Sequence, residues 1–145
     1  MPRLVLLLLL LSLPFMAWAQ HRAWHGSWSA TTSNGRTVLG GTWEAATGDD
    51  ADTLSGTWTL MDHSGATLAD GTWAARKDRN VWKGIWKART RSNRIYSGTW
   101  RVQSQLPTSS RFADLFESAL RKMASGTWRA GAAYSGSWSL RAFPR

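Results

Sequence analysis

"LSGTWTL", residues 54 to 60, carries the reading of the whole chain, because its Gly56-Thr57-Trp58 centre returns in close variants seven more times. The other copies are Gly26-Ser27-Trp28, Gly41-Thr42-Trp43, Gly71-Thr72-Trp73, Gly84-Ile85-Trp86, Gly98-Thr99-Trp100, Gly126-Thr127-Trp128 and Gly136-Ser137-Trp138. From glycine to glycine the spacings are 15, 15, 15, 13, 14, 28 and 10 residues, so one interval holds an inserted segment.

Around every copy the side chains alternate in character. Two positions before the glycines stand Trp24, Leu39, Leu54, Ala69, Trp82, Tyr96, Ala124 and Tyr134, and two positions after the tryptophans stand Ala30, Ala45, Leu60, Ala75, Ala88, Val102, Ala130 and Leu140. Most of the interleaved positions are Ser, Thr, Glu, Lys or Arg. A period of two, held through eight copies, predicts strands with one buried and one wet face. Glycine inside each unit and threonine beside tryptophan both disfavour helix.

Turn-forming segments separate the units: Thr31 to Asn34 before Gly35, Gly48-Asp49-Asp50, Asp62-His63-Ser64-Gly65, Asp78-Arg79-Asn80, Arg91-Ser92-Asn93 and Gly131-Ala132. Strands are expected over 24–31, 36–46, 53–61, 67–77, 81–90, 94–104, 124–131 and 134–142, pairing antiparallel in sequence order. The fold class is therefore all-β, an antiparallel up-and-down meander of about eight strands. Closure into a barrel removes both sheet edges and buries the one apolar face against itself. An open curved sheet, covered by an oligomer or a membrane partner, is the alternative.

The glycines have a role in such a barrel. An indole is too large to repeat at every inward position, and a neighbour without a Cβ lets it lie across the backbone. Trp28, Trp43, Trp58, Trp73, Trp86, Trp100, Trp128 and Trp138 thus read as structural core, with a ligand-lining surface as the second reading.

Residues 107 to 123, "PTSSRFADLFESALRKM", break the pattern. Ser109 or Ser110 can cap a helix, Phe112, Leu115, Phe116, Ala119, Leu120 and Met123 fall at helical spacing, and Arg121 and Lys122 suit its C-terminal end. A helical insertion is expected at about 109–123, between strands six and seven. It either covers a rim or offers Phe112 and Phe116 for docking to a membrane or a second protein.

Residues 1–19 read as a secretory signal peptide: Arg3, the apolar run Leu4 to Leu13, and Ala17-Trp18-Ala19 before Gln20. The run is short for a bilayer span. The chain is therefore expected in the periplasm or outside the cell, peripheral on a membrane, with residues 20–145 as one β-meander domain. There is no cysteine, which excludes disulfides, thiolate chemistry and lipid attachment at a thiol.

The whole chain carries 18 Lys and Arg against 9 Asp and Glu, and the charge is segregated. Residues 20–75 hold two basic and six acidic side chains, a balance of −4, while residues 76–145 hold fifteen and three, a balance of +12. Lys83, Lys87, Arg89, Arg101 and Arg129 share the outward parity of strands five to seven, with Arg76, Lys77, Arg79, Arg91 and Arg94 at their ends. This predicts a positive docking face for an acidic protein surface or an anionic membrane surface. Aromatic side chains do not interleave with these cations, which together with export disfavours nucleic acid.

Residue types for catalysis are scarce. His21, His25 and His63 fall in the new N-terminus, on a polar strand face and in a turn, and no third ligand joins the first two to make a metal site. Asp49, Asp50 and Asp52 lack the spacing of a calcium loop, and no carboxylate occupies an inward strand position, where a glycosidase pair would need it. No enzyme activity, cofactor or metal is expected.

At Gly26-Ser27-Trp28 the chain resembles lipocalins and avidins, which open an eight-stranded meander with Gly-x-Trp in strand one. That resemblance implies a small apolar or cyclic ligand inside the barrel, with Trp82, Tyr96, Tyr134 and several motif indoles around it. The glycines and aromatics also resemble the hairpin repeats of membrane-occupation type, whose unit is longer. The first functional expectation is a noncatalytic structural or accessory module that docks on a larger, membrane-associated assembly. Ligand binding in the lumen is the second.

Overall fold

The computed structural model describes residues 24–46, 53–79, 81–103 and 110–144. The signal segment, His21, the Asp49, Asp50 and Asp52 cluster and Ser109 lie outside the described residues. The strands are β1 (Trp24–Thr32), β2 (Val38–Ala46), β3 (Thr53–Met61), β4 (Thr67–Asp78), β5 (Val81–Thr90), β6 (Ile95–Val102), β7 (Ala124–Ala130) and β8 (Tyr134–Ala142). One helix, α1 (Phe112–Ala119), lies between β6 and β7.

The sheet is a closed antiparallel barrel in sequence order. The closing contact runs from Gly26↔Ala142 to Thr32↔Gly136, and it decides between the barrel and the open sheet. Outward strand positions are mainly Ser, Thr and charged residues while the inward ones are apolar, the reverse of a membrane-spanning barrel with its apolar outer band.

The repeat unit in space is a hairpin rather than a single strand. Within each of the hairpins β1–β2, β3–β4, β5–β6 and β7–β8, each tryptophan stands opposite the partner strand's motif glycine, as Trp58↔Gly71 and Gly56↔Trp73 show. Between hairpins tryptophan faces tryptophan: Trp43↔Trp58, Trp73↔Trp86 and Trp100↔Trp128. The closing seam departs from this rule by two residues, pairing Trp28 with Leu140 and Trp138 with Ala30.

This arrangement stacks the indoles in two tiers of four. Trp43, Trp73, Trp100 and Trp138, from the even strands, form the tier nearer α1, and Trp28, Trp58, Trp86 and Trp128, from the odd strands, form the tier nearer the hairpin turns. An eight-stranded barrel is just wide enough to be filled by side chains, and alternate strands supply the four of each layer. The other four strands must withdraw at that level. Glycine does this: a Cβ on Gly71 would overlap the Lys87 carbonyl oxygen and the Trp58 ring, and one on Gly56 would overlap the Glu44 carbonyl and Trp73.

Three hairpin turns use the same short local device. In β1–β2, β3–β4 and β5–β6 a backbone bond closes the turn, Gly35 N to Thr32 O, Gly65 N to Asp62 O and Asn93 N to Thr90 O. Each donor has positive φ, where glycine and asparagine are tolerated best. These turns and that of β7–β8 lie at one end of the barrel, and α1 lies at the other.

Helix α1 is shorter than the expected 109–123, and its cap is neither Ser109 nor Ser110. The N-cap is Arg111, whose backbone N–H donates to the Asp114 carboxylate at 2.7 Å. Leu120 and Met123 are exposed, because the chain leaves the helix there to enter β7.

Candidate functional site

The lumen is built entirely from the apolar parity of the strands plus one face of α1. Phe112, Leu115, Phe116 and Ala119 are buried and close the barrel's end. Phe116 stacks on Trp43 at a centroid distance of 4.9 Å and also meets Trp24 and Trp73, while Phe112 packs on Trp82 at 4.7 Å. Lys77 fastens the start of the helix by donating to the Ser110 carbonyl, with its ammonium 5.6 Å from the Trp82 ring centroid. It therefore points to the helix rather than standing among the rim cations.

The two phenylalanines offered as docking side chains are thereby corrected. Phe112 is 5% exposed and Phe116 4%, because they pack on Trp82 and Trp43 inside the barrel. The helix is a plug.

A cavity of about 230 Å³ remains between the plug and the turn end. It reaches from Phe112, Leu115 and Phe116 to Ala30 and Leu39, and all eight motif indoles line it. Trp43 is buried, at 3% exposure, and the other seven are half-buried. Edge-to-face contacts link them within each tier: Trp28 with Trp58 at 5.6 Å, Trp58 with Trp86 at 6.4 Å, Trp73 with Trp100 at 6.2 Å and Trp100 with Trp138 at 6.0 Å.

The indole N–H groups are taken up by the wall itself. Trp28 donates to Thr59 O at 2.9 Å, Trp43 to Arg141 O, Trp58 to Thr72 O, Trp73 to Glu44 O, Trp100 to Ile85 O, Trp128 to Thr31 O and Trp138 to Thr127 O. Several of these bonds cross a glycine to a strand beyond it, as when Trp28 passes over Gly41 of β2 to reach β3. With the N–H groups engaged, the cavity presents ring faces and edges, methyl groups and no hydrogen-bond donor from these seven indoles. The lining residues also carry no acid, base or nucleophile.

Trp82, Tyr96 and Tyr134, expected around a ligand, do not line this cavity. Trp82 is committed to Phe112, whereas Tyr96 and Tyr134 sit at the turn end, where Tyr134 is 68% exposed. Inward parity placed them correctly, but position along the strand put the two tyrosines beyond the last tier. The small Ala30, Ala69, Ala88 and Ala130 occupy the same parity near that end. Leu39, Leu60, Tyr96 and Tyr134 stand opposite them, and Ala30, Ala69 and Ala88 are buried.

The outer surface divides into two walls. On β4 to β7 the register places Arg76, Lys83 and Arg101 side by side across three strands. Lys87, Arg89 and Arg129 join them on the same face, so the five cations singled out in the sequence do share one wall, with Arg76 added. Lys83 binds Asp78 at 3.3 Å, and Arg89 stands opposite Asp70. On β8, β1, β2 and β3 the outward positions are hydroxyl ladders: Ser29 with Ser139 at 2.8 Å, Thr31 with Ser137 at 2.9 Å and Thr42 with Thr59 at 2.7 Å.

Among the described residues, the remaining chemistry-bearing side chains stay apart. His25 stands opposite Glu44, with its ring against Phe143, and His63 is exposed in the β3–β4 turn. Asp62 organises that turn by accepting from the Ser64 hydroxyl at 2.7 Å and from the N–H groups of Ala66 and Ser64. These bonds hold its carboxyl below the ordinary aspartate range, the Ser64 hydroxyl most of all.

Fold and lumen together define a closed, eight-stranded up-and-down barrel with an apolar interior and one plugged end. Compared with protein-family models, curated proteins and solved structures, the chain finds no match.

Proposed function

We propose that this protein is a noncatalytic binding barrel that admits a small apolar ligand of one or two rings through its turn end. The observation that carries this reading is the cavity of about 230 Å³ lined by eight indoles, most of whose N–H groups are already bonded. An apolar cavity of about 150 Å³ in another protein stays dry and accepts benzene, so this one has room for a somewhat larger ring system. Burying roughly 200 Å² of ligand surface contributes about 5 kcal/mol, which corresponds to a dissociation constant near 0.2 mM.

Titration with naphthalene, followed by indole fluorescence and by thermal unfolding, tests the reading. Saturable quenching together with a raised melting midpoint supports it. Ala30→Leu fills the lumen near the turn end and should weaken binding at least tenfold while leaving the midpoint of the empty protein unchanged or higher. No fluorescence response and no thermal shift from naphthalene, toluene and indole alike would overturn it. The docking role expected from the sequence loses its helical arm, and the cationic wall is the surface that remains for it.

A further inference from the structure

The wall formed by β4 to β7 combines a row of cations, which the opposite wall lacks, with exposed aliphatic side chains. Six cations, Arg76, Lys83, Lys87, Arg89, Arg101 and Arg129, face outward, and three of them stand directly abreast on neighbouring strands. Between and beside them project aliphatic side chains, Ile85 at 53% exposure and Ile95 at 67%. Like charges opposite one another weaken a sheet, and exposed isoleucines gain nothing from water. Both features become favourable against one kind of surface.

We propose that this wall docks on an anionic lipid bilayer, with Ile85 and Ile95 entering the headgroup region between the cations. Each net positive charge held near such a surface raises affinity about fivefold, and a balance of six cations over Asp70 and Asp78 supplies roughly six-hundredfold, enough for peripheral binding without an inserted helix. The aliphatic side chains add the apolar component that interfacial elements use. A protein partner is oriented by patterned charge and by a packed apolar centre. On this wall six cations outnumber Asp70 and Asp78, and its two exposed isoleucines stand apart rather than forming a packed centre, which suits a plane of negative charge. The expected export brings the chain to such planes. The proposal stands on the outer wall alone and is independent of what the lumen holds.

The test is co-sedimentation of the protein, as the expressing cell delivers it, with phosphatidylcholine vesicles and with vesicles of equal phosphatidylcholine and phosphatidylglycerol. Binding should require phosphatidylglycerol and fall steeply with salt. Lys83→Ser with Arg101→Ser should weaken it roughly twentyfold. Ser29→Glu with Thr42→Glu changes the net charge equally at the middle of the hydroxyl wall and should alter binding no more than about twofold, since the effect of charge fades within a Debye length. Ile85→Ser with Ile95→Ser should weaken binding roughly tenfold without changing its salt dependence.

Melting midpoints near that of the parent protein show that each variant is folded. Equal losses from both charge pairs mean that total charge alone acts, and overturn the proposal. So does unchanged binding by the isoleucine variant. Indifference to both vesicles, with salt-sensitive binding to polyglutamate instead, assigns the wall to an acidic protein and overturns it as well.

Discussion

The two walls of this barrel share one interior and have little in common outside. The hydroxyl wall of β8, β1, β2 and β3 pairs Ser and Thr hydroxyls across its strands, and within those strands its charged residues are Glu44 and Arg141, with His25 beside them. The cationic wall of β4 to β7 sets Arg76, Lys83 and Arg101 abreast and leaves Ile85 and Ile95 in water. Behind both, the same Gly-to-Trp exchange repeats, hairpin after hairpin. The inner face is bound by a volume requirement that no hairpin escapes, while the outer face is free to differ. The difference between the walls is therefore the better guide to partners, and the sameness behind them the better guide to stability.

The largest effect is expected where the inner rule is broken by a single carbon. Gly71→Ala places a Cβ against the Lys87 carbonyl and the Trp58 ring, both held by the sheet. Strain of that kind should destabilise the barrel by more than about 4 kcal/mol. Chemical denaturation should show a barely folded protein, and a loss below about 1 kcal/mol would mean that the tiers can separate.

Trp58→Ala removes an indole that meets Trp28 and Trp86 and is bonded to Thr72 O. It should cost on the order of 3 to 5 kcal/mol. Thr57→Ala, one residue away and facing water, should stay below about 1 kcal/mol. Paired denaturation curves check this contrast, and equal losses at the two positions would erase the distinction between inner and outer faces.

Smaller still, and opposite in sign, is the expected effect of relieving the cationic row. Arg101→Thr removes one of the like charges facing Lys83 and supplies a better strand former. It should stabilise the free protein by about 0.2 to 1 kcal/mol at low salt, with the gain shrinking as salt is added. A matched Thr42→Arg on the hydroxyl wall breaks the bond to Thr59 without meeting a row of cations, and its effect should depend little on salt.

The weakest signal belongs to Asp62, at the tip of the β3–β4 hairpin where the walls meet. Its folded carboxyl lies below the ordinary value of 3.8, so the stabilisation is complete above that value and is lost as pH falls through the lower, folded one. Asp62→Asn should flatten the acid limb of the stability curve, lowering stability slightly at neutral pH and matching the parent at the acid end. Unfolding midpoints measured from neutral pH downward would show it.

Much of this protein could be read from residue order alone. The alternation around Gly56-Thr57-Trp58 and its copies determined the strands, their inward sides and their antiparallel succession, because parity in an extended chain is a local property. Turn chemistry set the hairpin ends for the same reason. The cationic face was also legible, since Lys83, Lys87, Arg89, Arg101 and Arg129 share one parity on adjacent strands. The direction of Phe112 and Phe116 was not. Helical spacing shows that they share a face, but only the position of α1 over the open barrel end says that this face turns inward. Closure through β1 and β8, the two-residue offset at that seam, the level of Tyr96 and Tyr134 beyond the last tier, and the cavity among the indoles were likewise decided in three dimensions. Each depends on how far strands are staggered around a ring. That stagger is a sum over all eight registers, and no single stretch of sequence contains it.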